Sequence, residues 1–316
     1  MHETTSYKVI TPVAFFIFNR PEATAQVFKE IRRAQPSVLL VIADGPRAGF
    51  AEEVDQCRFV RSIVETIDWP CTVLRNYAEL NLGCRKRISS GIDWVFSEVP
   101  EAIILEDDCL PDLSFFRFCD EMLEHFRHDE RVMSVGGTNM LGEWKSSSQS
   151  YHFTLYNCVW GWATWRRAWQ HYDNSLKEWQ CPEVRARIKL TIADTQQFRS
   201  RARLFDDTFS GKIDTWDFQW HFAHLARGGL AVVPAVNLVS NIGFGPGASH
   251  TTDPRSPVSA LQIRQLPFPI RWEQPVKVDC EFDAKLKVLV ARKPSIVERM
   301  GDAVTMALQF LKQKTE

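Results

Sequence analysis

Three consecutive acids, Glu106, Asp107 and Asp108, close an apolar run, Ala102-Ile103-Ile104-Leu105, and Cys109 follows. Four apolar residues in a row read as an interior parallel strand. Carboxylates at its carboxyl end would enter the crevice in which open α/β sheets bind ligands. Adjacent carboxylates repel, so gathering them there calls for a cation. Hard oxygen ligands at a strand end suit a divalent ion that bridges phosphates. The competing reading is a polar strand-to-loop transition with solvated acids.

Other residues offer compatible chemistry. A strand over residues 13–18 runs into Asn19-Arg20-Pro21, and one over 38–43 runs into Asp44-Gly45-Pro46-Arg47. Asp44 is either a ligand contact or a turn residue ahead of Gly-Pro. Arg85, Lys86 and Arg87 follow the turn Asn81-Leu82-Gly83-Cys84, as ligand contacts or as a solvated helix face. Asp217 lies between Trp216 and Phe218, where a carboxylate is unfavourable unless used or paired; Asp214 is its nearest rival. His250 ends Gly247-Ala248-Ser249-His250, a loop-like run of small residues, whereas His221 and His224 read as ordinary helix residues.

The elements that must position these groups alternate. Helical patterns cover 24–33, 51–67 and 85–97, with a third strand at 71–75. Such alternation predicts an α/β fold with a mostly parallel, doubly wound sheet flanked by helices. One switch-point crevice would collect the ends of the first, second and fourth strands. Further on, 113–126 reads as a helix, 132–137 and 230–234 as strands, and 237–252 as a polar, glycine-bearing loop. Trp162, Trp165 and Trp169 are spaced three and four apart, which predicts one helix face. With Trp160 they read mostly as core, one of them serving as a platform on which a ligand ring stacks. No repeat or linker divides the chain. Ser295-Ile296-Val297-Glu298 has capping-box spacing. The stripe Ile296, Val297, Met300, Val304, Leu308 and Leu311 then predicts an amphipathic helix. That helix would pack on the domain or make peripheral membrane contact.

Bulk properties exclude several classes. Of the 316 residues, 45% are hydrophobic and 24% charged, which suffices for a sizeable core. A net charge of −1 argues against a nucleic-acid partner. The eight cysteines include no C-x-x-C pair and read as free thiols. No basic-then-apolar leader and no apolar run of spanning length occur, so the expected location is cytoplasmic.

In this order and spacing the motifs match a known pattern. The chain resembles nucleotide-sugar glycosyltransferases of the GT-A (Rossmann-like) fold. It is most similar to the bacterial family-two-type enzymes and the eukaryotic N-acetylglucosaminyltransferase I group. The most specific element is Ile104-Leu105-Glu106-Asp107-Asp108-Cys109-Leu110-Pro111-Asp112 followed by Phe115-Phe116, the group's variant of the DXD motif. Phe18-Asn19-Arg20-Pro21, Asp44-Gly45, Asn81-x-Gly83 and the Trp-Gly-Trp-Ala-Thr-Trp run support it. The resemblance implies a catalytic domain over 1–293, with a nucleotide-sugar part at about 10–112 and an acceptor-side part at about 113–252, followed by the C-terminal helix at 294–316.

It also implies roles. Asp108 would ligate Mn²⁺ or Mg²⁺ on the donor diphosphate, and Glu106 and Asp107 would contact the ribose and sugar. Asp44 would bind the base, uracil in a UDP-sugar. Arg20 would lie beside the base or diphosphate with Asn19 next to it, and Arg85 and Lys86 near the sugar or phosphates. Asp217 would be the base in an inverting displacement, and His250 would belong to a loop that closes over the donor. In the N-acetylglucosaminyltransferase I group the segment matching Asp217 carries two adjacent acids, so Asp214 stays open as the base. The acceptor would be a glycan or lipid-linked saccharide, placing the protein in the cytoplasm or on the inner face of the cell membrane. A sugar nucleotidyltransferase of related fold is the alternative, although no glycine-rich, basic signature follows the first strand. A catalytically inactive module that binds a glycan or protein is another.

Overall fold

The computed structural model describes residues 7–244, 258–259, 261–272 and 275–291. The first half alternates strand and helix: β1 (Val13–Ile17), α1 (Pro21–Ala34), β2 (Val38–Ala43), α2 (Ala51–Val64), β3 (Thr72–Tyr77), α3 (Cys84–Glu98) and β4 (Glu101–Glu106). β5 (Cys109–Pro111), α4 (Leu113–His125), β6 (Val132–Gly136), β7 (Tyr151–Thr154), β8 (Trp162–Trp165) and α5 (Arg166–Trp169) follow. Then come α6 (Pro182–Ile192), α7 (Thr195–Phe209), α8 (Asp217–Arg227), β9 (Leu230–Pro234), β10 (Val239–Asn241) and α9 (Cys280–Ala291).

Eight strands form one sheet in the order β3-β2-β1-β4-β8-β6-β9-β7. The pairs β1–β2, β1–β4, β2–β3 and β6–β9 are parallel, and β8 runs antiparallel between β4 and β6. The first strands are apolar throughout because helices cover both faces. Alternate residues serve opposite cores. Phe15, Leu39, Val41, Ile103 and Leu105 join Val27, Phe28, Ile31, Val60 and Phe115 of α1, α2 and α4. Phe16, Leu40, Ile42 and Ile104 join Ile88, Ile92 and Val95 of α3 and Trp220 of α8. β1 lies between β2 and β4, so the chain reverses its winding there. The crevice outside the ends of β1 and β4 is the switch point at which such sheets bind ligands.

Two local expectations are corrected. Trp162, Trp165 and Trp169 do not share a helix face, because Trp162–Trp165 is a strand and only Arg166–Trp169 is helical. Pairing with β4 and β6 overrides the helical spacing, and β alternation sends Trp162 and Trp165 into opposite cores. Residues 239–241, read as loop, are β10, which pairs antiparallel with β5 directly after the three acids. The helices α6 and α7 build a satellite core around Trp179, Ile188, Phe205 and Phe222 that holds α8. All eight cysteines are unbridged. No helix among the described residues is long and apolar enough to cross a membrane. His250 and the amphipathic segment 294–316 lie outside the described residues.

Candidate functional site

Two adjoining cavities open at the switch point. One, of about 220 Å³, lies beneath the ends of β1 and β2 and is lined by Phe18, Ile42, Asp44, Asn81, Arg87 and Asp107 among others. The second, of about 350 Å³, lies between the acids and the start of α8 and includes Asp108, Trp160, Thr215, Asp217 and Asn241. Arg20, Cys84 and Glu106 line both. Four residues singled out from sequence, Arg20, Glu106, Asp108 and Asp217, therefore meet at one cavity although they come from three parts of the chain.

The acids sit where β4 ends. Asp107 accepts a hydrogen bond from the Phe18 amide (3.2 Å), tying β4 to β1. Arg20 Nη1 lies 2.6 Å from Asp108 Oδ2 and 3.5 Å from Asp107 Oδ1. The cation that like-charged acids require is thus supplied here by a guanidinium. Burial, and then Asp108, push Asp107 up to about 7 against the opposing pull of Arg20. Burial, reinforced by Asp108, Asp107 and Asp217, also raises Glu106 well above the ordinary carboxylate range. Among the described residues no three His, Cys, Asp or Glu side chains are arranged to hold a metal ion. A Cβ on Gly243 would stand 2.2 Å from Asp108 Oδ2, so the backbone after β10 reaches Asp108 only as glycine. Its neighbour Ile242 donates its amide to the Asp108 carbonyl at 2.8 Å.

Tryptophans position Asp217. Trp162 on β8 packs on Trp216 (5.9 Å between rings) and Trp220 (5.7 Å), and Trp169 on Trp220 (5.1 Å). β8 pairs with β4, so this cluster ties the start of α8 to the strand bearing the acids. Asp217 is the first residue of α8 and accepts a hydrogen bond from Thr215 Oγ1. Asp214 lines neither cavity; its side chain is 79% exposed and lies 3.9 Å from Arg85. Of the tryptophans read as possible sugar platforms, Trp160 lines the cavity, set edge-on to Phe244.

Other expected contacts are engaged elsewhere. The Asp44 carboxylate accepts from the Gly45 and Leu82 amides (2.9 Å each), the Asn81 side chain (3.1 Å) and the Gly83 amide (3.2 Å). Those donors come from Gly45 and from the 81–83 turn, so Asp44, which lines the smaller cavity, also holds the entrance to α3. Asn19 lines neither cavity and donates to the buried Glu53, which also binds Arg47. Arg85 hydrogen-bonds Asn174, and Lys86 is exposed; neither lines a cavity. Arg87 takes the place expected of them. It is 6% exposed and lines the smaller cavity. It donates to the Asn76 side chain (2.9 Å), and its Nε has no partner. Burial lowers its pKa. The pattern held a signal for it: Arg87 falls on the stripe of Gly91 and Val95, the buried face of α3, whereas Lys86 does not.

The arrangement is an α/β, Rossmann-like fold with a cationic and acidic crevice at its switch point. No protein-family profile and no curated protein matches the chain. A solved structure of UDP-glucose pyrophosphorylase complexed with UDP-glucose is similar at 8% identity over 73% of this chain and 93% of that one, with a TM-score of 0.36.

Proposed function

We propose that the protein is an inverting glycosyltransferase of the GT-A type, transferring a sugar from a UDP-sugar to a saccharide acceptor. The observation that carries this reading is the convergence of Arg20, Glu106, Asp108 and Asp217 on one cavity beside a second, smaller one. The smaller cavity would take the nucleoside, against Ile42 and Phe18, with Arg87 in its wall. The shared wall would take the diphosphate. There α3 begins at Cys84, after Gly83 and with no side-chain cap, and a helix N-terminus favours an anion.

The larger cavity would hold the transferred sugar and the acceptor. Asp217 would accept the proton of the acceptor hydroxyl as its oxygen bonds to the anomeric carbon. The bond to the diphosphate breaks on the opposite face, and its electron pair leaves with the diphosphate oxygen. Arg20, paired with Asp108, would follow that charge to the phosphates. Asp108 fits an ion held mostly by phosphate oxygens and water, since Mg²⁺-type ions use only one or two protein carboxylates. Such an ion, Mn²⁺ or Mg²⁺, would neutralise the leaving diphosphate.

Incubation with a panel of nucleoside diphosphate sugars and Mn²⁺, with and without saccharides, tests the reading. UDP release from UDP-sugars, lost in Asp108→Ala, is expected. Pyrophosphate formation from UTP and a sugar 1-phosphate, without UDP release, would assign the site to a nucleotidyltransferase. Binding without turnover of either kind would make it a non-catalytic module. Thermal shift reads binding directly, since a ligand at a hundred times its Kd stabilises by about 2.7 kcal/mol.

A further inference from the structure

Helix α6 buries one face, on which Val184, Ile188 and Ile192 join the satellite core behind α8. The face turned the other way carries Ala186, Leu190 and Ala193, which line a groove of about 490 Å³ with Lys189 and Thr195. Its walls are mostly apolar, and Leu190 is 80% exposed. A lone exposed leucine is ordinary; what marks this one is where the chain goes next. Phe282 and Leu286 of α9 pack with Val233, and Lys287 pairs with Asp194. Asp194 stands between Ala193 and Thr195, both of them groove residues. α9 ends at Ala291, four residues and about 6 Å beyond Lys287. The five residues onward to Ile296 span up to about 18 Å. Ile296 is thereby within reach of the groove.

We infer that this groove is the docking site of the chain's own C-terminal segment, residues 296–311, laid along α6 as an amphipathic helix. Its apolar stripe, Ile296, Val297, Met300, Val304, Leu308 and Leu311, would cover Leu190 and the two alanines. Docking takes both apolar surfaces out of water together. The lengths agree, because a helix over 296–311 extends about 24 Å and α6 about 16 Å. The charges agree as well. Glu298 and Asp302 stand four apart on one flank of the stripe, and Arg187 and Lys189 are exposed on α6. Tethering favours this occupant over a second copy of the chain. A short linker holds a segment at an effective concentration in the millimolar range, far above that of a free protein in dilute solution.

The test is hydrogen exchange of the full chain, read by mass spectrometry on peptides covering 296–311 and 186–193. In the wild type both should be protected, equally at low and at high protein concentration. Leu190→Glu keeps a good helix former and sets a charge in the groove beside Glu298 and Asp302. It should speed exchange across 296–311 about tenfold or more and lower Tm by several degrees, whereas a solvated leucine would tolerate the change. Val304→Glu alters the segment and leaves α6 intact, and should deprotect 296–311 in the same way. Exchange over the strands 13–17 and 38–43 should be unchanged in both variants. Absence of protection over 296–311 in the wild type overturns the proposal. So does protection indifferent to Leu190→Glu, which would place the segment elsewhere. Protection that appears only at high concentration makes the occupant a second copy. Protection that appears only on vesicles of phosphatidylglycerol and phosphatidylethanolamine makes it a lipid surface. Either result overturns docking on α6.

Discussion

Replacing Arg20 by methionine removes the counter-cation of the acid cluster and keeps much of its bulk. The ion pair is largely shielded: side-chain exposure is 28% for Arg20, 9% for Asp107 and 14% for Asp108. Removing one partner of a buried pair typically costs about 3–5 kcal/mol, because the charge left behind is uncompensated. The acids can escape that cost by binding protons, so the penalty depends on pH. In the intact protein Asp107 sits at about 7 against its ordinary 3.8. Between these values the folded state holds a proton that the unfolded chain has released, so stability falls as pH rises through the window. Without Arg20 the window extends to higher pH. Arg20→Met should therefore lie close to the wild type at pH 5 and fall behind by most of the 3–5 kcal/mol at pH 8–9. For a chain of this size that is a Tm loss of roughly 5–15 °C. Circular-dichroism melts of both proteins from pH 5 to 9 measure it. A Tm difference that is the same at pH 5 and pH 9, or absent at both, refutes the counter-cation argument.

Asp217→Asn should reduce turnover by about 10² to 10⁴ while donor titrations stay unchanged; Asp214→Asn should behave as wild type, and the reverse pattern would move the base to Asp214. Asp44→Ala removes an acceptor with four partners and should cost about 2–4 kcal/mol in urea unfolding, with hydrogen exchange accelerated across residues 81–84. Unaltered exchange there would show that the turn stands without it. Burial, with Glu106 and Asp217 next in weight, pushes the Cys84 thiol up to about 12. Iodoacetamide at pH 8 should thus alkylate Cys84 at least tenfold more slowly than the exposed Cys280, as read by peptide mass spectrometry; equal rates would contradict the placement.

Part of this site was legible because it is local. The apolar runs at 13–17, 38–43 and 101–106 are strands by composition alone, and the polar residues after them must lie at strand ends. Burial on both faces leaves such segments no other stable state, so the switch-point crevice and its acids follow from order along the chain. Arg87 lines the smaller cavity where Arg85 and Lys86 do not, a one-residue difference in helical phase that periodicity can resolve.

What only the tertiary structure decided are relations between distant segments. Trp162 to Trp165 obeys helical spacing yet forms a strand, because β4 and β6 offer it hydrogen-bonding edges that no local propensity records. Asp44 stands at the end of β2 by sequence, but only the folded chain brings the 81–83 turn onto its carboxylate at the wall of the smaller cavity. Asp217 and Asp214 differ little in sequence, but the tryptophan cluster turns one into the cavity while the other stays in solvent. Sequence by itself determined which residue types stand at the ends of the strands, because strand formation depends on near neighbours. Which of those groups share a cavity, which are neutralised by Arg20 and which are consumed in holding turns depends on packing between segments a hundred residues apart. Only the folded chain brings those segments within hydrogen-bonding distance.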